Sequence, residues 1–318
     1  VITIVSEEQD IMTDLTMEWL ARRKTPTRRI QNYEPQTFRI EIDNGGSSAA
    51  GPISGNSHYW TRRGKENYIP ATIDHHFSEN LPVYRYLEQD ELVVSSYVET
   101  KRKQQLNHHD TGSFFAEKKN NKLINLELAK SVHLLIPPTC VTNSKKVLAQ
   151  FIRRHKQVIT KDLCAPVYLP GDKGTLTSSG VISIGLSDLD AMADNFAAVF
   201  VQENISKQFE IRCFLFRKTI FSMAIFSQND QQTTTDFRNY NDARPNRCVP
   251  FQLPPSIASK LWKFMALAEL DTGSIDLIYT PEGEFVFLEV NPMGQFHWLS
   301  ENCNYYLEHF IADSFTNA

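Results

Sequence analysis

Three oxygen-bearing side chains near the C-terminal end of the chain, Asp276 in GSIDLIY and Glu289 and Asn291 in EFVFLEVN, interrupt runs that are otherwise mostly apolar. Side chains two apart on an extended chain point the same way, and the turn TPEG between the runs makes them an antiparallel hairpin. With a loop of two or four residues, Asp276 faces Phe287 or Glu289. In both registers Asp276, Glu289 and Asn291 share one face, on which Phe285 and Phe287 also lie. Uncompensated carboxylates on a half-buried sheet are costly. A few hard oxygen donors are what Mg²⁺ takes when nucleotide phosphates fill its other positions, so the trio is read as a magnesium site. The competing reading is a solvated face carrying charge for solubility.

Cations are placed to match. Lys161 ends the apolar run QVITKDL, and Lys122 opens a helix whose N-terminal amides also favour anions. On FEIRCFLF, Glu210 and Arg212 share a face opposite Ile211 and Cys213, while TDFRNYN supplies Asp236, Arg238 and Asn241. Taken singly, each is as readily a structural ion pair.

The elements that must position these groups change character along the chain. VITIVSEEQDIMTDLTMEWL predicts a strand, a polar turn and a helix facing a core with Leu15, Trp19 and Leu20. The Gly/Ser/Pro-rich stretch 44–57 predicts a loop. In HYWTRRG, Tyr59 and Trp60 are expected to pack while Arg62 and Arg63 project outward, as a solvated edge or, alternatively, to contact an anion. Residues 99–112 are polar and charged and predict a boundary. Beyond them the pattern predicts a helix from Asn121 with Ile124, Leu128, Val132 and Leu135 on one stripe, ended by Pro137 and Pro138. A mobile hairpin at 170–180 and a helix capped by Ser187 and anchored by Leu189, Met192 and Phe196 follow. Strands VFVQENI, FEIRCFLF and IFSMAIFS, the last two turning at Arg217 and Lys218, precede a helix at 256–270, the second hairpin and an amphipathic tail helix. The expected class is an α/β front end joined to α+β, divided as 1–115, 116–205 and 206–318.

The 318 residues carry 33 Lys+Arg against 37 Asp+Glu, a formal charge of −4, so no basic excess points to nucleic acid. No apolar run approaches the ~18 residues of a membrane span, and the start lacks signal-peptide patterning; the expectation is a cytoplasmic protein with no membrane partner. The five cysteines are odd in number and scattered, which argues against a disulfide framework or a zinc site and for reduced, mostly buried thiols. The adjacent pairs His75–His76 and His108–His109 are expected in solvated loops.

Lysine before a helix, lysine ending a strand, QENI, Glu-x-Arg, then Asp…Glu-x-Asn, in that order over 120–310, resembles the ATP-grasp ligases. Within that superfamily, EVNPMGQF followed by NCNYYLE is similar to the peptide maturases that make graspetides, the microviridin-like ω-ester and ω-amide peptides. YWTRRG resembles an aromatic-Arg-Arg segment of the same maturases, including those of grasp-with-spasm systems. The resemblance implies an ATP-grasp fold with an N-terminal Rossmann-like pre-ATP-grasp domain, ATP and Mg²⁺ as cofactors, and a ribosomal precursor peptide, leader and core, as partner. It also implies a homodimer. Lys122 and Lys161 would then meet the phosphates, and Gln202, Glu203, Asn204 and Ile205 would be the adenine-binding linker, with Glu203 on the exocyclic amine. Glu210 would take the ribose hydroxyls, with Asn241 also among the nucleotide contacts. Asp276, Glu289 and Asn291 would hold Mg²⁺. Arg212 and Arg238 would stabilise the γ-phosphoryl group and an acyl-phosphate, with Asp236 as orienter or proton acceptor. The stretch 170–180 departs from the compact glycine-rich turn of many ATP-grasp enzymes, being longer and richer in Thr and Ser.

Three readings follow. The first is an ADP-forming macrocyclase joining Asp/Glu side chains of a precursor to Ser/Thr hydroxyls or Lys amines. The second is an ATP-grasp ligase adding an amino acid to a protein or small-molecule carboxylate, as glutamate ligases with FEIRCF-like and FRNYN-like segments do. The third is a peptide-binding module without ATP turnover.

Overall fold

The computed structural model describes residues 1–50, 58–69, 81–155, 157–164, 168–171, 174–177, 180–228, 243 and 245–316. The chain opens with β1 (Ile2–Ser6), buried throughout, and α1 (Ile11–Arg22), which begins where Asp10 Oδ2 accepts from Thr13 N at 3.1 Å and buries Met12, Thr16 and Leu20. β2 (Thr27–Gln31) follows, then β3 (Arg39–Asp43) and β4 (Gly46–Ala50), paired antiparallel. The expected loop at 44–57 therefore begins as a turn and continues as a strand: Asp43 Oδ1 accepts from the amides of Gly45 and Gly46, closing the turn. Residues 51–57 lie outside the described set.

β5 (His58–Thr61), α2 (Leu81–Leu106) and β6 (Asp110–Thr111) complete a parallel sheet of order β2-β1-β5-β6. The charged stretch 99–112 holds the end of α2, a 3₁₀ turn and β6. Arg102 is 0% exposed, its Nη1 donating to Glu66 Oε1 at 2.6 Å and its Nε to Asp110 Oδ2 at 2.7 Å, with the guanidinium 3.9 Å from the centroid of the Tyr59 ring. A buried charge requires such partners, and polar composition alone does not reveal them. Burial pushes the carboxyls of Glu99 and Asp110 above their ordinary range. His109 is likewise no loop histidine: its Nδ1 lies 2.8 Å from Nε2 of buried His58. His75 and His76 lie outside the described residues.

The middle of the chain comprises α3 (Phe114–Lys118), α4 (Lys122–Ser131), β7 (Thr139–Ser144), α5 (Lys145–Arg154), β8 (Val158–Lys161), the antiparallel pair β9 (Tyr168–Gly171) and β10 (Gly174–Thr177), β11 (Ile182–Ile184) and β12 (Asn195–Glu203). Its sheet runs β11-β8-β12-β7. α4 is capped by Asn121, whose Oδ1 accepts from Leu123 N and Ile124 N. Its buried face is Leu126, Ala129 and Val132; Ile124 and Leu135, expected inward, are exposed. The helix also stops at Ser131, with His133 at φ 62°, before the prolines. In place of the helix expected after Ser187 stands a 3₁₀ turn, Leu186–Leu189, held by Asp188 Oδ2 accepting from Gly185 N at 2.7 Å. Phe196 belongs to β12, yet Leu189, Met192 and Phe196 pack in one cluster with Leu148, Phe151 and Val201, so the anchors reach a core without a helix.

β13 (Phe209–Phe216) and β14 (Thr219–Phe226) turn at Arg217, with φ 52°. With β15 (Arg247–Pro250), β16 (Thr272–Tyr279) and β17 (Phe285–Asn291) they form a five-stranded antiparallel sheet of order β15-β14-β13-β16-β17. Ile211, Cys213 and Leu215 bury one face of β13 against α4 and α6 (Pro255–Leu267). Phe214 and Phe216 bury the other against α1, α7 (His297–Cys303) and α8 (Leu307–Thr316), in a cluster that also takes in Ile2, Ile4 and Trp60. The N-terminal sheet is thereby fastened to the C-terminal one. The five cysteines are free: Cys213 and Cys303 are buried, Cys140 and Cys248 half-buried, and Cys164 exposed. Among the described residues, no helix is long and apolar enough to cross a membrane.

Candidate active site

β16 and β17 are joined by residues 280–284, and their register sets Asp276 directly opposite Glu289 but Leu277 opposite Phe287. Leu288 is the extra residue of a β-bulge. At such a bulge the alternation of faces is reset, so Leu288 and Glu289 both line one cleft while Phe287 turns into the core against Phe264, ring centroids 4.9 Å apart. Phe285 and Phe287 therefore do not share the carboxylate face, as strict alternation predicts. The separation favours the site: the aromatic rings pack without crowding the oxygens.

The carboxylates meet cations from three elements. Arg212 on β13 donates from Nη1 to both oxygens of Asp276, at 2.9 and 2.7 Å. Among the described residues its buried Nε has no hydrogen-bond partner, a donor held in place with capacity to spare. Lys122, at the start of α4, and Lys161, at the end of β8, bring their Nζ atoms to 3.7 and 3.8 Å from Glu289 Oε2. Lys122 also donates to the Asp162 carbonyl at 2.6 Å, and Lys161 lies 5.6 Å from the centroid of the Phe200 ring. Asn291 Oδ1 accepts from Met293 N at 3.1 Å, which orients the amide at the end of β17.

From this polar end a cleft runs between the two sheets. Its walls are Pro137, Ile159, Val181, Ile278 and Leu288, with the 202–205 segment along one edge and Glu210 and Lys207 beyond. Apolar walls with a few convergent polar groups are what a planar heterocycle requires. Gln202 is buried, its Nε2 donating to Thr139 Oγ1 at 2.9 Å, and its Oε1 has no partner among the described residues. The amides of Glu203 and Asn204 donate to the carbonyls of Pro138 and Gln157, and Glu203 Oε2 lies 2.9 Å from His155 Nδ1. Glu210 is 4% exposed, bonded to Lys207 and accepting from Ser227 Oγ. Burial pushes its carboxyl up, and the Lys207 ammonium works against that shift.

Of the side chains singled out in the sequence, Lys161, Gln202, Glu203, Asn204, Ile205, Glu210, Asp276 and Glu289 line this cleft, and Lys122 and Arg212 reach it through their carboxylate partners. Asn291 stands one step beyond, at the end of the same strand. Asp236, Arg238 and Asn241 lie outside the described residues. The apolar walls and Lys207 escaped sequence reasoning: Ile159 and Leu288 read as ordinary strand core, although Lys207, three residues before Glu210, was visible as a charge pair. Two carboxylates and one amide oxygen fall short of a complete protein cage, and among the described residues no group of three or more His, Cys, Asp or Glu could hold a metal alone. Such a partial, all-oxygen set fits Mg²⁺ completed by phosphate oxygens and water.

No family model matches the chain, and no curated protein matches it. Solved structures do. A RiPP-associated ATP-grasp ligase of Chryseobacterium gregarium, in complex with ADP and a leader and core peptide, is 22% identical with a TM-score of 0.76, covering 99% of this chain and 94% of that one. The macrocyclase MdnC of Microcystis aeruginosa MRC, bound with precursor peptide MdnA, is 23% identical at 0.76, covering 100% and 99%. The ATP-grasp ligase PsnB, complexed with minimal precursor, Mg and ADP, is 16% identical at 0.76, covering 99% and 96%. Over its whole length, then, the chain has the ATP-grasp fold, with the parallel β2-β1-β5-β6 sheet as its Rossmann-like front end.

Proposed function

We propose that the chain is an ATP- and Mg²⁺-dependent peptide macrocyclase that joins Asp or Glu side chains of a ribosomal precursor to Ser/Thr hydroxyls or Lys amines. The observation that carries this reading is the meeting of Lys122, Lys161 and Arg212 with the paired carboxylates Glu289 and Asp276 at the polar end of an apolar cleft. The similarity in fold to ligases solved with ADP and peptide supports the choice of substrates.

In this reading the purine lies between Ile159, Val181 and Leu288. Two of the linker amides are committed to Pro138 and Gln157, so the purine edge falls to Ile205 and to the Glu203 side chain, released from His155. Glu210 reaches the ribose hydroxyls once Lys207 yields. Lys122 and Lys161 move their ammonium groups from Glu289 to phosphate oxygens. Asp276, Glu289 and Asn291 would hold Mg²⁺, which when bound supplies charge neutralisation to the β- and γ-phosphates. A peptide carboxylate oxygen attacks the γ-phosphorus, ADP departs, and the acyl-phosphate is stabilised by the Arg212 guanidinium, with Arg238 and Asp236 assigned to the same end. A hydroxyl or amine then displaces phosphate, forming the ester or amide. The β9–β10 hairpin is assigned the task of excluding water. The division at 115 and 205, leader contact by the middle region, a homodimer and a cytoplasmic setting belong to the same reading.

The test is mass spectrometry of a candidate precursor after incubation with the protein, ATP and Mg²⁺. Loss of one water per closed ring, with ADP released, is the expected result. ADP formed from free amino acids without any peptide would instead favour the amino-acid ligase reading.

A further inference from the structure

The arginine pair of HYWTRRG has no part in the chemistry above, and its first member is not where the sequence puts it. Arg62, expected in solvent, is 2% exposed. Its Nε donates to Asp10 Oδ2 at 2.8 Å, and its Nη1 donates to the carbonyls of Met293 and Gly294 at 2.7 and 3.0 Å. Its Nη2 lies 2.8 Å from Met12 Sδ, and the guanidinium stands 4.9 Å from the Phe296 ring centroid. A cation this deeply buried needs a carboxylate and hydrogen-bond acceptors, and two of the acceptors are the backbone of the turn that leaves β17.

That turn is the mount of Asn291. Gly294 N donates to the Asn291 carbonyl at 3.1 Å, while Asn291 Oδ1 accepts from Met293 N, so the side-chain amide is oriented by the turn's own backbone. Gly294 has φ 56°, and a Cβ there would meet Phe214 at 3.0 Å and the Gly273 backbone at 3.1 Å. The turn is thus pressed against the sheet on one side and gripped from the N-terminal domain on the other. Asp10, which also caps α1, fixes the guanidinium.

We propose that Arg62 is a positioning residue for the metal-binding end of β17: by holding the carbonyls of Met293 and Gly294 it sets the aim of the Asn291 side chain. The inference rests on the magnesium reading of Asp276, Glu289 and Asn291. It makes the N-terminal domain part of the site without touching nucleotide. Outer partners that orient metal ligands are worth roughly 10- to 100-fold in metal affinity.

The experiment measures Mn²⁺ binding in the presence of ADP by electron paramagnetic resonance, beside melting curves, for the full chain and its variants. Arg62→Lys keeps the charge beside Asp10 but cannot hold both carbonyls, and is expected to weaken Mn²⁺ binding about 10-fold or more. Leu20→Ala, which opens a cavity in the same core away from the turn, is expected to melt earlier yet bind Mn²⁺ as the parent does. Pro292→Gly loosens the turn with Arg62 in place and is expected to weaken Mn²⁺ binding in the same direction; it decides the matter should Arg62→Lys fail to fold. Unchanged Mn²⁺ affinity in a folded Arg62→Lys, or in Pro292→Gly where Arg62→Lys does not fold, overturns the inference alone. A parent protein that binds no Mn²⁺ with ADP overturns the magnesium reading and the inference with it.

Discussion

Asp276→Asn separates what the site does for stability from what it does for chemistry. The side chains of Arg212 and Asp276 are 9% and 14% exposed and joined by two short bonds. Removing one partner of a buried ion pair costs about 3–5 kcal/mol because the other charge is left unpaired. The asparagine oxygen still accepts one of the two bonds, which lowers the expected cost to about 2–3 kcal/mol, a fall in Tm of about 3–5 °C for a chain of this size. The parent, with Mg²⁺ and ADP at a hundred times Kd, should gain about 2.7 kcal/mol by mass action. The variant should lose most of that gain and all measurable ADP formation, while keeping its affinity for the leader segment of the precursor. Differential scanning fluorimetry with and without Mg²⁺ and ADP, followed by a coupled ADP assay, reads both effects. A variant that melts with the parent, shows the same Mg²⁺-dependent shift and still forms product would refute the pairing and the ligand role together.

Glu99 sits above its ordinary 4.5 because it is buried, so the folded state binds its proton more tightly than the unfolded chain does. Its contribution to stability therefore falls as pH rises from about 4.5 through the folded-state value, and Glu99→Gln, which still offers Ser113 an acceptor, should flatten the decline in Tm over that window. Gly294→Ala should cost more than about 1 kcal/mol, since φ is positive and the new methyl meets Phe214 and Gly273, and should weaken the Mg²⁺–ADP melting shift as the turn is displaced. Burial raises the Cys213 thiol to about 12, so iodoacetamide at pH 8 should label exposed Cys164 in the native protein and reach Cys213 only after unfolding, as peptide mapping will report.

The part of the site legible in the sequence is the part built from local patterns. A charged residue ending an apolar strand, as Lys161 does, or two acids in an apolar hairpin, as Asp276 and Glu289 are, violate burial rules within a window of a few residues. The violation itself points to chemistry. What the sequence hides is set by partners far along the chain. Arg62 finds Asp10 at a separation of 52 residues and the Met293 carbonyl at 231, so nothing near HYWTRRG distinguishes it from a solvated arginine. Arg102 reads as one charge in a polar run because Glu66 lies 36 residues away. The buried face of α4 departs from the expected stripe for a different reason: apolar residues at 123, 124, 126 and 128 leave several faces equally plausible, and burial against Phe264 and Phe287 selects the one centred on Leu126 and Ala129.

The bulge at Leu288 joins these two kinds of information. Its sequence, FVFLEVN, runs through four apolar residues before Glu289, Val290 and Asn291, and no residue in it announces an insertion. Unbulged pairing would force either Phe287 into the cleft beside Glu289 or both acids into the core beside Phe264, and each alternative sets a large apolar group or a charge in the wrong medium. One extra residue resolves the conflict, with Leu277 and Phe287 on the core side and Asp276 and Glu289 on the other. The irregularity is therefore a consequence of asking one strand to serve both a core and the proposed metal site, and such irregularities are expected where packing and chemistry compete for the same few residues.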